Sequence, residues 1–258
     1  RVSELVGVRV ARMAASPYGF LRGSAVVMAS DSAQLPSTGI RPVICGDSHL
    51  GNFGFYRSPE GEQVMDLNDF DEAHPGSWEW DLRRLTASIH VAGRENGHSE
   101  DACSDAVRAC VLAYRDEMHD LAEQPLFGRS FNRLDVSRLK RTVRNETLRS
   151  EIGRAVAVAR KKTSDRALPR FTTETGQGRR IVTEPPLITR LPQGEFEAVA
   201  EALDHYLASL QPHWQRVVGG YTLVDIAHKV VGVGSVGLRA YVVLLEGSSP
   251  DDVLFLQL

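Results

Sequence analysis

The sequence predicts a mixed α+β chain, and three observations carry that expectation. In "SEDACSDAVRACVLAYRDEMHDLAEQ" the residues Ala102, Ala106, Val107, Cys110, Tyr114, Met118 and Leu121 recur at three or four positions, the period of one helical face. From Tyr221 onward the pattern changes to three strand-like runs, separated by a Gly-rich turn and a polar turn. Between them, "RFTTETGQGRRIVTEPPLITRL" has the form of a hairpin about Gly176–Gly178. The 258 residues, 42% hydrophobic and 24% charged, are enough to bury a real core.

The remaining elements follow in order. Residues 2–15 and 21–33 have short helical patterns, split at "SPYGF", where Pro17 and Gly19 break the period. "RPVICGD" is a short strand running into a polar loop, "CGDSHLGN". A turn at Ser58–Gly61 precedes a strand over Gln63–Leu67, and acidic residues follow it. "SWEWDLRRLTASIHVAG" carries Trp80, Leu82, Leu85, Ile89 and Val91 at helical spacing, and both Trp78 and Trp80 are expected in the core. Pro125 ends the long helix. Residues 135–162 are Arg-rich and weakly amphipathic. Pro185 and Pro186 exclude a central strand, and "GEFEAVAEALDHYLASL" is another helix.

Charge and cysteine content narrow the function classes. A net charge of −3 gives no reason to expect nucleic-acid or anionic-membrane binding. There is neither a signal peptide nor an apolar run of membrane-spanning length. Cys45, Cys103 and Cys110 are an odd count without metal-type spacing, which suits a reducing cytoplasm.

The chemistry concentrates in "VICGDSHLGNFGF". Phosphoryl transfer needs a carboxylate beside the attacking hydroxyl and an oxygen ligand for Mg²⁺ close by. Asp47 and Asn52 are spaced to present both, with Gly46 and Gly51 allowing tight turns. "DLNDFDEA" supplies further carboxylates, and alternation along an extended chain would put Asp69 and Asp71 on one face. In "VVGVGSVGLRAYVV" the residues Gly232, Gly234, Ser235 and Gly237 form a turn whose backbone amides could approach nucleotide phosphates. Each signal has a plainer reading. Asp47 could cap backbone amides, "NDFDE" could be a solvated acidic loop, and His49 could simply be packed to hold the loop. A Gly-rich turn is most often only a hairpin. Arg22 in "FLRG" is a candidate partner for an acidic loop residue.

"CGDSHLGN" resembles the "HGDLHPGN" catalytic loop of aminoglycoside phosphotransferases and related kinase-like enzymes, and "NDFDEAHPGSWEWDL" is similar to their metal-binding segment. That resemblance implies catalysis by Asp47, metal binding by Asn52 and Asp69 with Asp71 beside them, and a structural brace at Asp81. It also implies ATP and Mg²⁺ as cofactors and a small-molecule hydroxyl as acceptor. "SPYGFLRG", "CGDSHLGNFG", "NDFDEAHPGSWEWDLRRL" and "GVGSVGLRAYVVLLEG" together resemble the uncharacterised bacterial family called domain of unknown function 2252.

In kinases the Gly-rich loop precedes the catalytic loop, whereas here it follows. The resemblance thus implies a circularly permuted kinase-like fold. Residues 1–124 would be the C-lobe-like catalytic part, 125–216 a mostly helical connection, and 217–258 the start of the nucleotide-binding sheet. Arg1 opens the chain without methionine and "VLFLQL" stops in mid-pattern, so a fragment is expected. The phosphate-binding lysine would fall beyond residue 258, and Lys229 does not fit that role. Following segments would also be needed to cover the apolar face of the sheet. Two other functions remain open: a catalytically silent nucleotide-binding module, and a metal-dependent phosphohydrolase using Asp47, His49, Asp69 and His74.

Overall fold

The computed structural model of the chain describes residues 5–161, 164–176, 178–230 and 239–258. The expected phosphate turn at Gly232, Gly234, Ser235 and Gly237 lies outside the described residues. The described residues are 52% helical and 19% strand, a mixed α+β composition with small sheets. It divides into two compact units, Val10–Arg160 and Lys161–Leu258, the second including the chain up to Arg9.

α1 (Val6–Ala14) opens the chain, followed by α2 (Pro17–Gly23) and α3 (Ala25–Ser32). The expected break falls at Ala15–Ser16, but the rest of "SPYGF" starts α2, and the second expected helix divides at Ser24. The Ser16 side chain accepts a hydrogen bond from Gly19 N at 3.0 Å. Pro17 takes the first helical position, where a missing N–H costs nothing.

In the Val10–Arg160 unit, β1 (Val43–Ile44) leads into the polar loop. β2 (Phe53–Arg57) and β3 (Gln63–Leu67) form an antiparallel hairpin, paired from Phe53↔Leu67 to Arg57↔Gln63. Its turn contains Gly61 at φ +85. β4 (His74–Pro75) returns to pair with β1. α4 (Trp78–Glu95) and α5 (Glu100–Glu123) pack so closely that a Cβ on Gly93 would lie 2.6 Å from Cys103 Sγ. The buried line of α5 runs through Cys103, with Ala102, Ala106, Tyr114 and Met118 exposed. The predicted Val107, Cys110 and Leu121 lie on the half-buried line with Cys103, while Ala102, Ala106, Tyr114 and Met118 fall outside it. The Trp78 and Trp80 side chains are half-buried rather than core: Trp78 donates to Thr38 Oγ1 at 2.9 Å and stacks on Tyr114. α6 (Leu126–Ser130), α7 (Val136–Thr142) and α8 (Glu146–Ala159) complete the unit, with Asp135 and Asn145 capping the last two.

In the other unit, α9 (Ser164–Phe171) precedes the hairpin of β5 (Thr172–Thr175) and β6 (Gly178–Ile181), as the sequence predicts. β7 (Ile188–Arg190) follows the proline pair and takes an edge of the main sheet. α10 (Gln193–Ser209) and α11 (Pro212–Val218) lead into β8 (Thr222–Lys229), β9 (Tyr241–Glu246) and β10 (Val253–Gln257). The sheet order is β10-β9-β8-β7, antiparallel throughout. Both faces are apolar because side chains alternate. Val242 and Leu244 face the cluster of Leu168, Ile181, Ile188 and Val253; Val243 and Leu245 face Val199 and Leu203 of α10. α9 with β6 covers one face and α10 the other, so residues within the chain already cover the sheet. Each fully buried Val or Leu here contributes about 1.5–3 kcal/mol.

Candidate functional site

The loop after β1 holds the site residues, and the β2–β3 hairpin determines which of them meet. Because Phe53 pairs with Leu67, residues 52 and 68 leave the hairpin side by side, and Asn68 N donates to Asn52 O at 2.8 Å. The segment containing Asp47 and Asn52 therefore lies at the same end as Asp69. Cys45 Sγ donates to the backbone oxygen of Asp69 at 3.2 Å, joining the two segments again. Asp69 does not continue the strand. β3 ends at Leu67, and the exposed Asp69 and Asp71 lie in a loop and turn, with Asp71 N 3.5 Å from Asp69 Oδ1. The expected alternation along an extended chain does not occur there.

The loop is held by side chains bonding to its backbone. Asp81, in the first turn of α4, accepts from Cys45 N at 2.7 Å and Gly46 N at 2.9 Å. Ser48 Oγ donates to the Asp81 carbonyl at 2.6 Å, and Leu50 N donates to Ser88 Oγ at 2.9 Å. Gly51 N is shared between Tyr18 Oη at 2.9 Å and His49 Nδ1 at 3.0 Å. Gly46 has φ +84, and a Cβ there would sit 2.2 Å from the Glu72 carbonyl oxygen, so this turn requires glycine.

Asp47 is fixed by Arg84, whose Nε donates to Oδ1 at 2.7 Å. Arg84 also donates from Nη2 to the Leu21 carbonyl at 2.7 Å, tying α2 to the loop. Burial raises the Asp47 carboxyl above its ordinary pKa, with the Arg84 charge opposing. Asn52 is buried, and its Nδ2 donates to the Asp47 carbonyl at 2.6 Å. That bond uses the amide nitrogen and leaves Oδ1 as the side chain's remaining acceptor.

His49 is packed rather than poised for proton transfer. Burial, followed by the charges of Arg22 and Arg84, lowers its pKa to about 4, so it is neutral at pH 7. Its Nδ1 accepts from Gly51 N, which puts the ring proton on Nε2, 3.8 Å from Asp47 Oδ2. His74 is exposed, with Nδ1 2.8 Å from the Glu72 carbonyl oxygen. Among the described residues, no three His, Cys, Asp or Glu side chains gather closely enough to hold a metal ion unaided.

Sequence reasoning missed Arg84, Ser88 and Tyr18. A signal existed. Asp81, Arg84 and Ser88 recur at i, i+3 and i+7, a polar stripe along a helix otherwise read for its apolar positions. Arg84 and Ser88 on that stripe are fully buried, whereas Leu85 and Ile89 are half-buried. A cleft of about 500 Å³ lies along the hairpin, lined by Tyr56, Glu60, Asp66 and Arg133, and includes none of Asp47, Asn52 or Asp69.

No curated protein and no solved structure matches the chain. A family model described as "Uncharacterized protein conserved in bacteria (DUF2252)" matches residues 1–258. The motifs around Asp47, Asp69 and Asp81 are thus those of a family member, and the chain belongs to this uncharacterised bacterial family.

Proposed function

We propose that the protein carries out ATP-dependent, Mg²⁺-assisted phosphoryl transfer to a small-molecule hydroxyl, on a kinase-like fold with permuted order. The observation that carries this reading is the β2–β3 register, which brings the Asp47–Asn52 loop and Asp69 to one end of a hairpin. The oxygen donors there suit a hard cation. Mg²⁺ takes one or two carboxylates and completes its shell with water and substrate phosphates, so it needs no closed protein cluster. The phosphohydrolase alternative needs such a cluster, and the absence of one among the described residues favours transfer. The permuted order is supported by the antiparallel β8–β9–β10 meander, which follows the loop in sequence and flanks residues 231–238.

Each residue then has a role. Asp47, with Oδ1 occupied by Arg84, keeps Oδ2 for the acceptor hydroxyl, and its raised pKa makes it a better proton acceptor. Asn52 Oδ1 and Asp69 would hold Mg²⁺, with Asp71 adjacent. When bound, the cation would neutralise phosphate charge. Asp81 acts by fixing the loop backbone. Positioning and charge neutralisation would supply the catalysis.

The test uses the full-length natural protein and nucleotide with Mg²⁺. Asp47→Asn is expected to lower transfer by at least about 100-fold and to change nucleotide affinity by less than about twofold. Asp69→Ala is expected to weaken Mg²⁺-nucleotide binding itself. Equal loss of binding in both variants would mean that the two aspartates share a structural role. A silent nucleotide-binding module is favoured by one observation, the engagement of Asp47 by Arg84. That reading takes over if the natural protein binds Mg²⁺-nucleotide and transfers nothing to any hydroxyl acceptor.

A further inference from the structure

We infer that Arg22 is the oxyanion-binding residue of this site, its guanidinium receiving a phosphate-type group held beside Asp47. The inference rests on the phosphoryl-transfer reading for its setting and adds a residue that the motif match does not assign. α2 is docked on the loop by two bonds. Tyr18 Oη accepts from Gly51 N, and the Leu21 carbonyl accepts from the Arg84 guanidinium that also holds Asp47. Tyr18 and Arg22 are four residues apart and share one face of that helix. The Tyr18 ring lies edge-on to His49, with centroids 6.2 Å apart. The Arg22 side chain therefore leaves α2 on the side that meets the loop.

The two arginines on this loop differ. Arg84 is committed: Nε to Asp47, Nη2 to the Leu21 carbonyl, and Nη1 to Met28 Sδ at 3.4 Å. Arg22 is half-buried, and its Nε is out of solvent with no hydrogen-bond partner among the described residues. An orphaned buried N–H is costly, so such groups in native proteins ordinarily have a water, ion or ligand as partner. Arg22 also acts electrostatically on both Asp47 and His49, which places its charge near the loop. A phosphate group approaching Asp47 and Asp69 meets two carboxylates and needs a fixed cation. A guanidinium with an unused donor on the side of α2 that meets the loop supplies that cation.

The oxyanion could be the transferred phosphate of the nucleotide or an anionic group on the acceptor. Binding is measured by calorimetry on the full-length natural protein, Arg22→Gln and Arg22→Lys, with pyrophosphate, Mg²⁺-ATP and adenosine. Arg22→Gln is expected to weaken pyrophosphate at least tenfold. If Mg²⁺-ATP weakens in parallel and adenosine is unchanged, the nucleotide is the source of the oxyanion. If pyrophosphate alone weakens, the source is an acceptor anion. Should Arg22→Gln fail to fold, Arg22→Lys keeps the charge and loses the fork, and at least a threefold loss of pyrophosphate affinity is expected. Unchanged pyrophosphate affinity in the folded variant overturns the inference and shows that Nε is satisfied by water. The two readings fail separately. Transfer that survives Arg22→Gln at full rate removes the Arg22 role alone. Arg22-dependent pyrophosphate binding without any nucleotide binding removes the kinase reading alone.

Discussion

The loop at residues 45–52 and the sheet of the other unit both bury side chains almost completely, from opposite materials. Around the loop the buried groups are Ser48, His49, Asn52, Arg84 and Ser88, each hydrogen-bonded to loop, helix or side chain. In the sheet they are Val243, Leu244, Leu245 and Ile226, packed with Leu203 of α10 in apolar clusters, and the buried carboxylate of Asp225 accepts from Ile181 N at 2.8 Å. The sheet gains free energy mainly from area and tolerates changes that keep volume. The loop gains little net free energy per bond but loses heavily when one partner is removed. That asymmetry holds Asp47 in one geometry and makes the loop fragile.

The largest expected effect breaks the polar side of the comparison. Arg84→Met leaves Asp47 without its ion-pair partner in a mostly buried position and the Leu21 carbonyl without its donor. A loss of about 3–5 kcal/mol in unfolding free energy is expected, measured by urea titration. The double variant Asp47→Leu/Arg84→Met should lose less than Arg84→Met alone, since no charge is stranded. A single-variant cost below about 1 kcal/mol would show that the pair is solvated and that the loop is not a polar core.

The apolar side is tested by Leu244→Ala, at a fully buried position in β9. The expected cost is about 2–5 kcal/mol from lost burial plus the cavity left behind. Leu244→Met should cost under about 1.5 kcal/mol. If Leu244→Met is as damaging as Leu244→Ala, shape rather than area dominates the sheet.

The two regions also differed in how legible they were in the sequence. The sheet and the β5–β6 hairpin were visible because period-2 alternation and turn residues are local signals. The β2–β3 pairing was only half visible: Gln63–Leu67 and the Ser58–Gly61 turn could be seen, but not the partner strand "FGFYR". At the site, Asp47, Asn52 and Asp69 stood out by type and spacing, and the hairpin register brings their segments to one end. Of the residues that hold them Asp81 was expected, but Tyr18, Arg84 and Ser88 were missed: they act on the loop from 33 to 38 positions away, and the i, i+3, i+7 polar stripe was the one local trace of the last two. The α5 face was drawn too wide, because alanines at 102 and 106 fit an apolar face and cost nothing when exposed, while Val107, Cys110 and Leu121 do lie on the half-buried line. The break at "SPYGF" was drawn too long because proline both ends and begins helices, and only the Ser16 cap shows that Pro17 begins one.

Backbone strain sharpens the contrast within the loop's own unit. Gly46 and Gly61 share a left-handed backbone, at φ +84 and +85. Nothing lies within 4 Å of a Cβ built on Gly61, whereas one on Gly46 meets the Glu72 carbonyl oxygen at 2.2 Å. Gly61→Ala should cost about 1–2 kcal/mol, the left-handed penalty alone. Gly46→Ala should cost at least about 1 kcal/mol more, because the backbone carrying Glu72 must move, and Asp69 with it. Equal thermal shifts in the two variants would mean that the 69–72 segment yields freely and does not hold the site.

The smallest expected effect is a pH dependence that belongs to the loop and not to the sheet. His49 is held neutral, its pKa lowered from 6.5 to about 4 by burial and the neighbouring arginines. Below pH 6.5 the unfolded chain binds a proton at this residue that the folded chain refuses. Stability therefore falls as pH drops from 6.5 towards 4 and levels off below that. The raised carboxyl of Asp47 works with the opposite sign at the acid end, so the fall is read between pH 6.5 and pH 5, where His49 alone contributes about 1–2 kcal/mol. In the sheet unit the resolved shifts among the described residues are Tyr221 and Tyr241, raised, and Asp252, lowered. None of these titrates between pH 5 and 6.5. His49→Gln keeps an acceptor for Gly51 N and removes the proton site, so its stability should be level across that window even if it is lower throughout. The comparison is made by urea unfolding at pH 6.5 and pH 5 in both proteins. A slope that persists in His49→Gln would assign the acid sensitivity to another group and leave His49 as a packing residue whose charge state does not matter.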